Sequence, residues 1–294
     1  MTPVLCIGSV LWDVIGRTPA HMSVGSDVPG HIIRVPGGVA LNIAFGLARF
    51  GLGCELLTAV GRDLDGTALL DEARRRRIGT EHVYVSDDLP TDRYMAIEGA
   101  NGLVAAIADA HSLERAGDKI LAPLVDGRFG TDAAPFEGIV ALDGNLSEAL
   151  LGRIAVEPWL SAADLRIAPA SPGKAHRLTP LLRMRGATFY VNLEEAGLLL
   201  GARPQTAADA ARSLSDRGAA RVVVTDGPRP AASAREGQVL TARPPEVLVT
   251  RVTGAGDTFM AAHIAAERGG AEPAAALQAG LEAAAQHVSG DIAT

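Results

Sequence analysis

Thr253-Gly254-Ala255-Gly256-Asp257-Thr258-Phe259 joins an apolar strand-like run (Val247, Leu248, Val249) to an Ala-rich segment with helical spacing (Phe259, Ala262, His263, Ala266). A strand that feeds a helix through small residues is the elementary joint of an α/β protein. Small residues at a helix entrance leave several backbone N–H groups unpaired and exposed, which makes a ready anion pocket. The one acid in the turn, Asp257, falls in the first turn of the helix. A carboxylate beside an anion pocket suits a base working next to a phosphate, the chemistry of phosphoryl transfer without a covalent intermediate.

The same joint recurs outward from this stretch. Val4–Gly8 reads as a buried strand ending in glycine, and Gly37-Gly38 opens a helical pattern with Val39, Ile43, Leu47 and Phe50. Leu56–Val60 reads as a strand and Gly66–Arg77 as a helix. Gly138–Leu142, Leu165–Ala168, Thr188–Val191 and Arg221–Thr225 read as strands. Helical patterns at Ser147–Val156, Lys174–Arg185, Leu193–Leu200 and Ala207–Arg217 separate them, and Ala271–Ala285 reads as a terminal helix. This alternation predicts a mainly parallel sheet with helices on both faces. Ligands of such sheets gather at the C-terminal ends of the strands. Asp13, Gly37-Gly38, Asn192, Thr225-Asp226-Gly227 and Gly254–Asp257 all fall beyond strand-like runs and can share one crevice. Residues 91–109 break the rhythm: two apolar runs flank Gly99-Ala100-Asn101-Gly102, a hairpin signal. With the alternating segments at 14–36, they predict a small β-sheet lid attached to a single α/β domain that spans 1–294. An apolar face of that lid (Met95, Ile97, Val104, Ala106) invites a second subunit, so a homodimer through the lid sheets is expected.

Composition narrows the function. A chain of 294 residues suffices for one large α/β domain, and its 48% hydrophobic content is that of a globular protein. Net charge of −7 argues against a nucleic-acid partner, which needs a basic face. The basic run Arg74–Arg77 follows Asp71 and Glu72 and reads as a solvated helix end. Cys6 and Cys54 lie in apolar strand-like runs and read as core residues. No basic-then-apolar leader and no apolar run of about 18 residues is present, so a cytoplasmic location without a membrane partner is expected. The seven histidines show no metal-ligand spacing and are expected at the surface or behind a site. Gly-x-x-x-x-Gly-Lys-Ser/Thr is missing, and Gly8–Asp13 lacks Gly-x-Gly-x-x-Gly. Walker-type and dinucleotide-binding chemistry are therefore not indicated.

Five motifs in order carry a more specific resemblance: Gly37-Gly38-Val39-Ala40-Leu41-Asn42, Val60-Gly61-Arg62-Asp63 with Gly66, Asn192-Leu193-Glu194-Glu195, Val224-Thr225-Asp226-Gly227 and Thr253–Phe259. Together they resemble the signatures of the ribokinase-like (PfkB) carbohydrate kinases, over nearly the whole chain. The resemblance implies a ribokinase-like three-layer α/β sandwich with a mainly parallel central sheet. It also implies an ATP- and Mg²⁺-dependent kinase acting on a sugar or nucleoside hydroxyl.

On that resemblance, Asp257 is the general base, and the amides of Gly254, Ala255 and Gly256 hold the transferring phosphate; the plainer alternative for Asp257 is a helix-start acid. Asp13 binds sugar hydroxyls, or else caps the next segment. Gly37 and Gly38 let a sugar ring approach the backbone, or else only form a tight turn. Asn42, one helical turn on, faces the same pocket. Asn192 and Glu195, three residues apart at a helix start, act through water on Mg²⁺, while Thr225, Gly227 and Thr253 lie near the nucleotide. Many relatives carry a cation-binding acid two residues before the Thr that opens the last motif. Here that residue is Arg251, a guanidinium cannot ligate potassium, and K⁺ stimulation is put in question. Within the family, the segments Pro36–Ala40, Ala106–Asp109 and Asp143–Glu148 resemble those of pseudouridine kinases. Asn145 then contacts the substrate, or else caps the helix near Ser147. Tyr94 and Arg93 on the lid are candidate base contacts. A ribokinase, another sugar or nucleoside kinase, or a non-catalytic nucleoside-binding protein are the alternatives.

Overall fold

A computed structural model describes residues 2–23 and 25–290. From the N-terminus come β1 (Val4–Ile7), β2 (Leu11–Arg17), β3 (His31–Gly37), α1 (Val39–Arg49), β4 (Cys54–Leu57), β5 (Ala59–Gly61) and α2 (Leu64–Arg75). Next are β6 (Tyr84–Ser86), β7 (Arg93–Gly99), β8 (Gly102–Asp109), α3 (Ser112–Ala116), β9 (Ile139–Asp143), α4 (Glu148–Val156), β10 (Asp164–Ala168) and β11 (Thr188–Asn192). The chain continues through α5 (Leu193–Leu200), α6 (Ala207–Asp216), β12 (Arg221–Asp226), β13 (Arg229–Arg235), β14 (Gln238–Ala242), α7 (Ala255–Arg268) and α8 (Pro273–Ser289).

Eight strands form the main sheet in the order β14-β13-β12-β11-β10-β9-β1-β4. The six from β12 to β4 are parallel, and β13 and β14 add an antiparallel edge. Each parallel strand is apolar on both faces because helices cover both. In β1, Leu5 and Ile7 pack toward α3, α4, α5 and α6, whereas Val4 and Cys6 pack toward α1, α2, α7 and α8. Helices, sheet and helices thus make the three-layer sandwich expected. Cys6 and Cys54 are buried free thiols on adjacent strands. Arg74, Arg75 and Arg76 pair with Asp71 and Glu72 at the exposed end of α2, a solvated helix end as read from the sequence.

A second sheet, β3-β2-β7-β8, stands beside the first. Its root is tied to α2: the Trp12 indole donates to the Asp65 carbonyl at 2.9 Å, Arg34 lies 3.8 Å over the Trp12 ring, and Arg34 and Arg93 both bridge the Asp65 carboxylate. The Gly61–Asp63 and Gly66 motif has a structural task here. Asp63 caps α2 through Gly66 N–H at 2.7 Å and holds Thr91, just before β7, through its N–H and hydroxyl at 2.9 and 2.7 Å.

Several sequence expectations need correction. Leu56–Val60 is not one strand: β4 joins the main sheet and β5 pairs with β6. Val247–Val249 pairs with nothing as a strand, and Leu248 is 82% exposed. Lys174–Arg185 forms no α-helix; residues 172–181 make 3₁₀ turns, as Pro172 and Pro180 disfavour regular i→i+4 bonding. The β13–β14 hairpin escaped notice because its strands are rich in alanine, although Glu236 and Gly237, both at positive φ, make the two-residue turn. The apolar face of the smaller sheet is also different. A symmetric hairpin through Gly99 and Gly102 would set Met95 opposite Ala106. A bulge after Ile97 shifts the register by one, so Met95 faces Ile107 and Ile97 faces Ala105. One inserted residue exchanges the faces of everything beyond it.

Candidate active site

The C-terminal ends of β1, β9, β11 and β12 converge with the N-termini of α1 and α7. Asp257 lies in the first turn of α7, and the Asn42 amide of α1 donates to its Oδ2 at 2.9 Å. Burial pushes the Asp257 carboxyl up to about 7; the charges of Asp143, Glu195 and Asp13 push the same way, and the Asn42 hydrogen bond opposes them. A carboxyl titrating near neutrality is fitted to take a proton from a hydroxyl.

Gly254 begins α7 in the left-handed region, at φ +83°, and no side chain caps the helix. The Ala255 N–H donates to the Val252 carbonyl at 3.1 Å. The N–H groups of Gly254, Gly256 and Asp257 make no hydrogen bond among the described residues, so three amides at this helix entrance stay open to an acceptor.

Asp13 lies within β2, not in a turn after the first strand. Paired with Val35 and Tyr94, it shares a face of the smaller sheet with both. Burial pushes its carboxyl up to about 6. A Cβ placed on Gly37 would come within 2.0 Å of Asp13 Oδ2, and one on Gly38, itself at φ +97°, within 2.4 Å of the Ser9 carbonyl oxygen. The two glycines therefore let β3 turn into α1 against this carboxylate. Arg93 sits one position from Tyr94, so it points to the opposite face and meets Asp65.

Asn192 and Glu195 form a reciprocal cap on α5: Asn192 Oδ1 accepts from Glu195 N–H at 2.8 Å, and Glu195 Oε2 accepts from Asn192 N–H at 2.9 Å. Burial lifts the Glu195 carboxyl to about 7. Asn192 pairs in register with Thr225, and Gly227 turns at φ +56° just beyond it. Among the described residues no three His, Cys, Asp or Glu side chains make a cage for a metal. The carboxylate of Glu195 and the amide oxygen of Asn192 are hard oxygen donors of the kind that suit a hard cation through water.

The sequence reading left Asp143 and Ser9 without a role. Asp143 is fully buried at the end of β9. Its Oδ2 accepts from Ser9 N–H at 2.8 Å, Ala40 N–H at 3.1 Å and the Ser9 hydroxyl at 3.2 Å, and its Oδ1 accepts from Asn145 N–H at 2.8 Å. One carboxylate thus ties β1, β9 and α1 together beneath the crevice. Its signal in the sequence is an acid ending a strand, matched by Gly8, where a Cβ would fall 2.2 Å from it. Asn145 caps nothing, since Ser147 caps α4 by accepting from Leu150 N–H at 3.2 Å. Instead Asn145 donates to Ser9 Oγ at 2.8 Å and accepts from Lys174 Nζ at 2.7 Å.

The model of the pfkB family of carbohydrate kinases matches residues 1–126 and 161–291, and the chain belongs to that family, a class of phosphotransferases with an alcohol acceptor. The chain is 28% identical to the pseudouridine kinase of Escherichia coli (strain K12), over 88% of this chain and 81% of that protein. It is 28% identical to the guanosine-inosine kinase of Exiguobacterium acetylicum, over 98% of this chain and 95% of that protein. With an uncharacterized sugar kinase of E. coli (strain K12), YeiI, it shares 31% identity over 49% of this chain, a match that spans only 39% of that relative's length. The fold is similar to that of a putative ribokinase II from E. coli solved in complex with ATP and Mg²⁺, with TM-score 0.79, 16% identity and coverage of 98% of this chain and 93% of that one.

Proposed function

We propose that the chain is an ATP-dependent kinase that phosphorylates the 5′-hydroxyl of a ribonucleoside, pseudouridine first among them. The observation that carries this is Asp257, at about 7, held by Asn42 beside the unpaired amides of Gly254 and Gly256. The acceptor oxygen attacks the γ-phosphorus as its proton passes to Asp257, and the bond from that phosphorus to the bridging oxygen of ADP breaks. The amides take the charge that develops on the phosphoryl oxygens. Mg²⁺ supplies charge neutralisation on the phosphates, with Glu195 and Asn192 holding its water; Thr225, Gly227 and Thr253 border the nucleotide. Arg251, where many relatives carry a cation-binding acid, argues against stimulation by K⁺; its Nε donates to the His287 carbonyl at 2.9 Å.

A nucleoside is favoured over free ribose by the face that carries Asp13. Its carboxylate can accept two vicinal hydroxyls, and Tyr94, Val35, Ile33 and Ile15 offer apolar surface beside it for a flat base. An ADP-release assay over pseudouridine, uridine, adenosine, inosine, guanosine, ribose and fructose tests this, with the highest kcat/KM expected for pseudouridine. Preference for inosine or guanosine would move the substrate to the purine nucleosides. Preference for ribose would remove the nucleoside and keep the kinase.

The outer face of the smaller sheet exposes Ile32, Met95, Ile97 and Ile107, at 78, 48, 38 and 68%. Its occupant is the same face of a second copy. Sedimentation should find a dimer that Ile107→Glu dissociates.

A further inference from the structure

His287 lies on α8, outside every motif that carries the family resemblance, yet its ring sits directly behind the anion loop. Its Nε2 is 2.8 Å from the Thr253 carbonyl oxygen and its Nδ1 is 3.2 Å from the Thr258 hydroxyl. A carbonyl oxygen only accepts, so Nε2 carries the proton. In the neutral ring Nδ1 is then the acceptor, and the Thr258 hydroxyl donates to it. The imidazole thereby ties the residue before the turn Gly254–Asp257 to the residue after it. The segment entering the turn is fixed to the same end of α8: Thr250 and Arg251 N–H donate to the Val288 carbonyl at 2.8 and 3.2 Å.

Peptide geometry gives this clamp a consequence for chemistry. In a trans peptide the C=O and N–H point in opposite directions. Holding the Thr253 carbonyl against α8 turns the Gly254 N–H away from α8. That N–H, with those of Gly256 and Asp257, stays unpaired in the turn, whereas the Ala255 N–H is taken by Val252. The ring also fills the space behind the turn, where a Cβ on Gly254 would lie 3.2 Å from Nε2.

We propose that His287 is a positioning residue for phosphoryl transfer, orienting the Thr253–Gly254 peptide so that its N–H meets the transferring phosphate. This rests on the kinase function proposed above. His287→Ala should lower kcat by about 100-fold, the effect of losing one oriented donor, and leave the KM of the nucleoside unchanged. His287→Gln, whose amide N–H reaches the Thr253 carbonyl, should recover most of that loss. Wild-type kcat in His287→Ala, or no recovery in His287→Gln, would overturn the proposal. Amide hydrogen exchange over residues 253–258 supplies a readout without turnover: it should be faster in His287→Ala than in the native chain, and equal rates would overturn the clamp. Should the alanine variant not fold, His287→Asn, too short to reach Thr253, takes its place in both measurements. A wild-type protein that phosphorylates no acceptor refutes the kinase function, and the exchange rates then judge the clamp by themselves.

Discussion

The two ends of the parallel strands bury charge in opposite ways. At the C-terminal ends, Asp13, Asp143, Glu195 and Asp257 stand as carboxylates with no basic side chain hydrogen-bonded to them, and burial raises all four. Toward the N-terminal ends, Glu267 of α7 lies between Arg166 and Arg221. Burial would raise its carboxyl, but the arginines outweigh it and hold it below the usual range. Arg166 also bridges Asp164 at 2.6 Å, and His263 beside Glu267 is driven down to about 4 by burial. Paired charge secures the packing of α7 on the sheet. Like charges left together are costly to the fold and useful only to a cation, a proton or a hydroxyl.

Breaking each end should therefore have opposite effects. Asp257→Asn should cut kcat by about 10²–10⁴-fold with nucleoside binding retained, since it removes only the proton acceptor; steady-state turnover and calorimetry measure the two. Glu267→Gln should cost about 3 kcal/mol of stability, because it leaves Arg166 and Arg221 short of a partner in a buried place. A fall of several degrees in Tm, with kcat per folded molecule nearly unchanged, checks it.

Asp257→Asn should at the same time raise Tm. The folded carboxyl titrates at about 7 against 3.8 in the unfolded chain, so the native state binds the proton more tightly. Its stabilising protonated form is lost as pH rises through about 7, and the ionised form is a cost above that. The gain on substitution should be largest at about pH 8 and smaller at about pH 5.5; equal gains would contradict the sign. The smallest effect is on the rate profile. Because the base acts unprotonated, kcat/KM should fall about tenfold per pH unit below about 7 and level off above it.

Much of this was legible in the sequence for a physical reason. Apolar runs alternating with helical periodicity dictate a covered parallel sheet, and glycine beside an acid at a helix start marks a helix entrance with open amides. Asn192 and Glu195 were singled out by their spacing of three at a helix start, and that local spacing also makes them a capping box, which the sequence reading did not name. Asp143 was legible only as part of a segment, as nothing local reports that its carboxylate gathers Ser9 and Ala40 from distant parts of the chain. His263, expected at the surface or behind a site, is core because α7 packs it on the sheet, where Tyr190 of β11 meets its ring.

The sequence by itself determined most of the elements, their layers and the small-residue helix entrance at Thr253–Phe259, since these follow from periodicity and short-range backbone geometry. Tertiary structure alone decided which residues of β8 join Met95 and Ile97 on the apolar face, because the bulge sets Ala105 and Ile107 there in place of Val104 and Ala106. It alone decided that Arg93 turns away from Asp13, and that His287, some 30 residues after the turn, holds the Thr253 carbonyl from behind. Contacts between residues far apart in the chain leave no periodic trace, and they set the direction in which each functional group points.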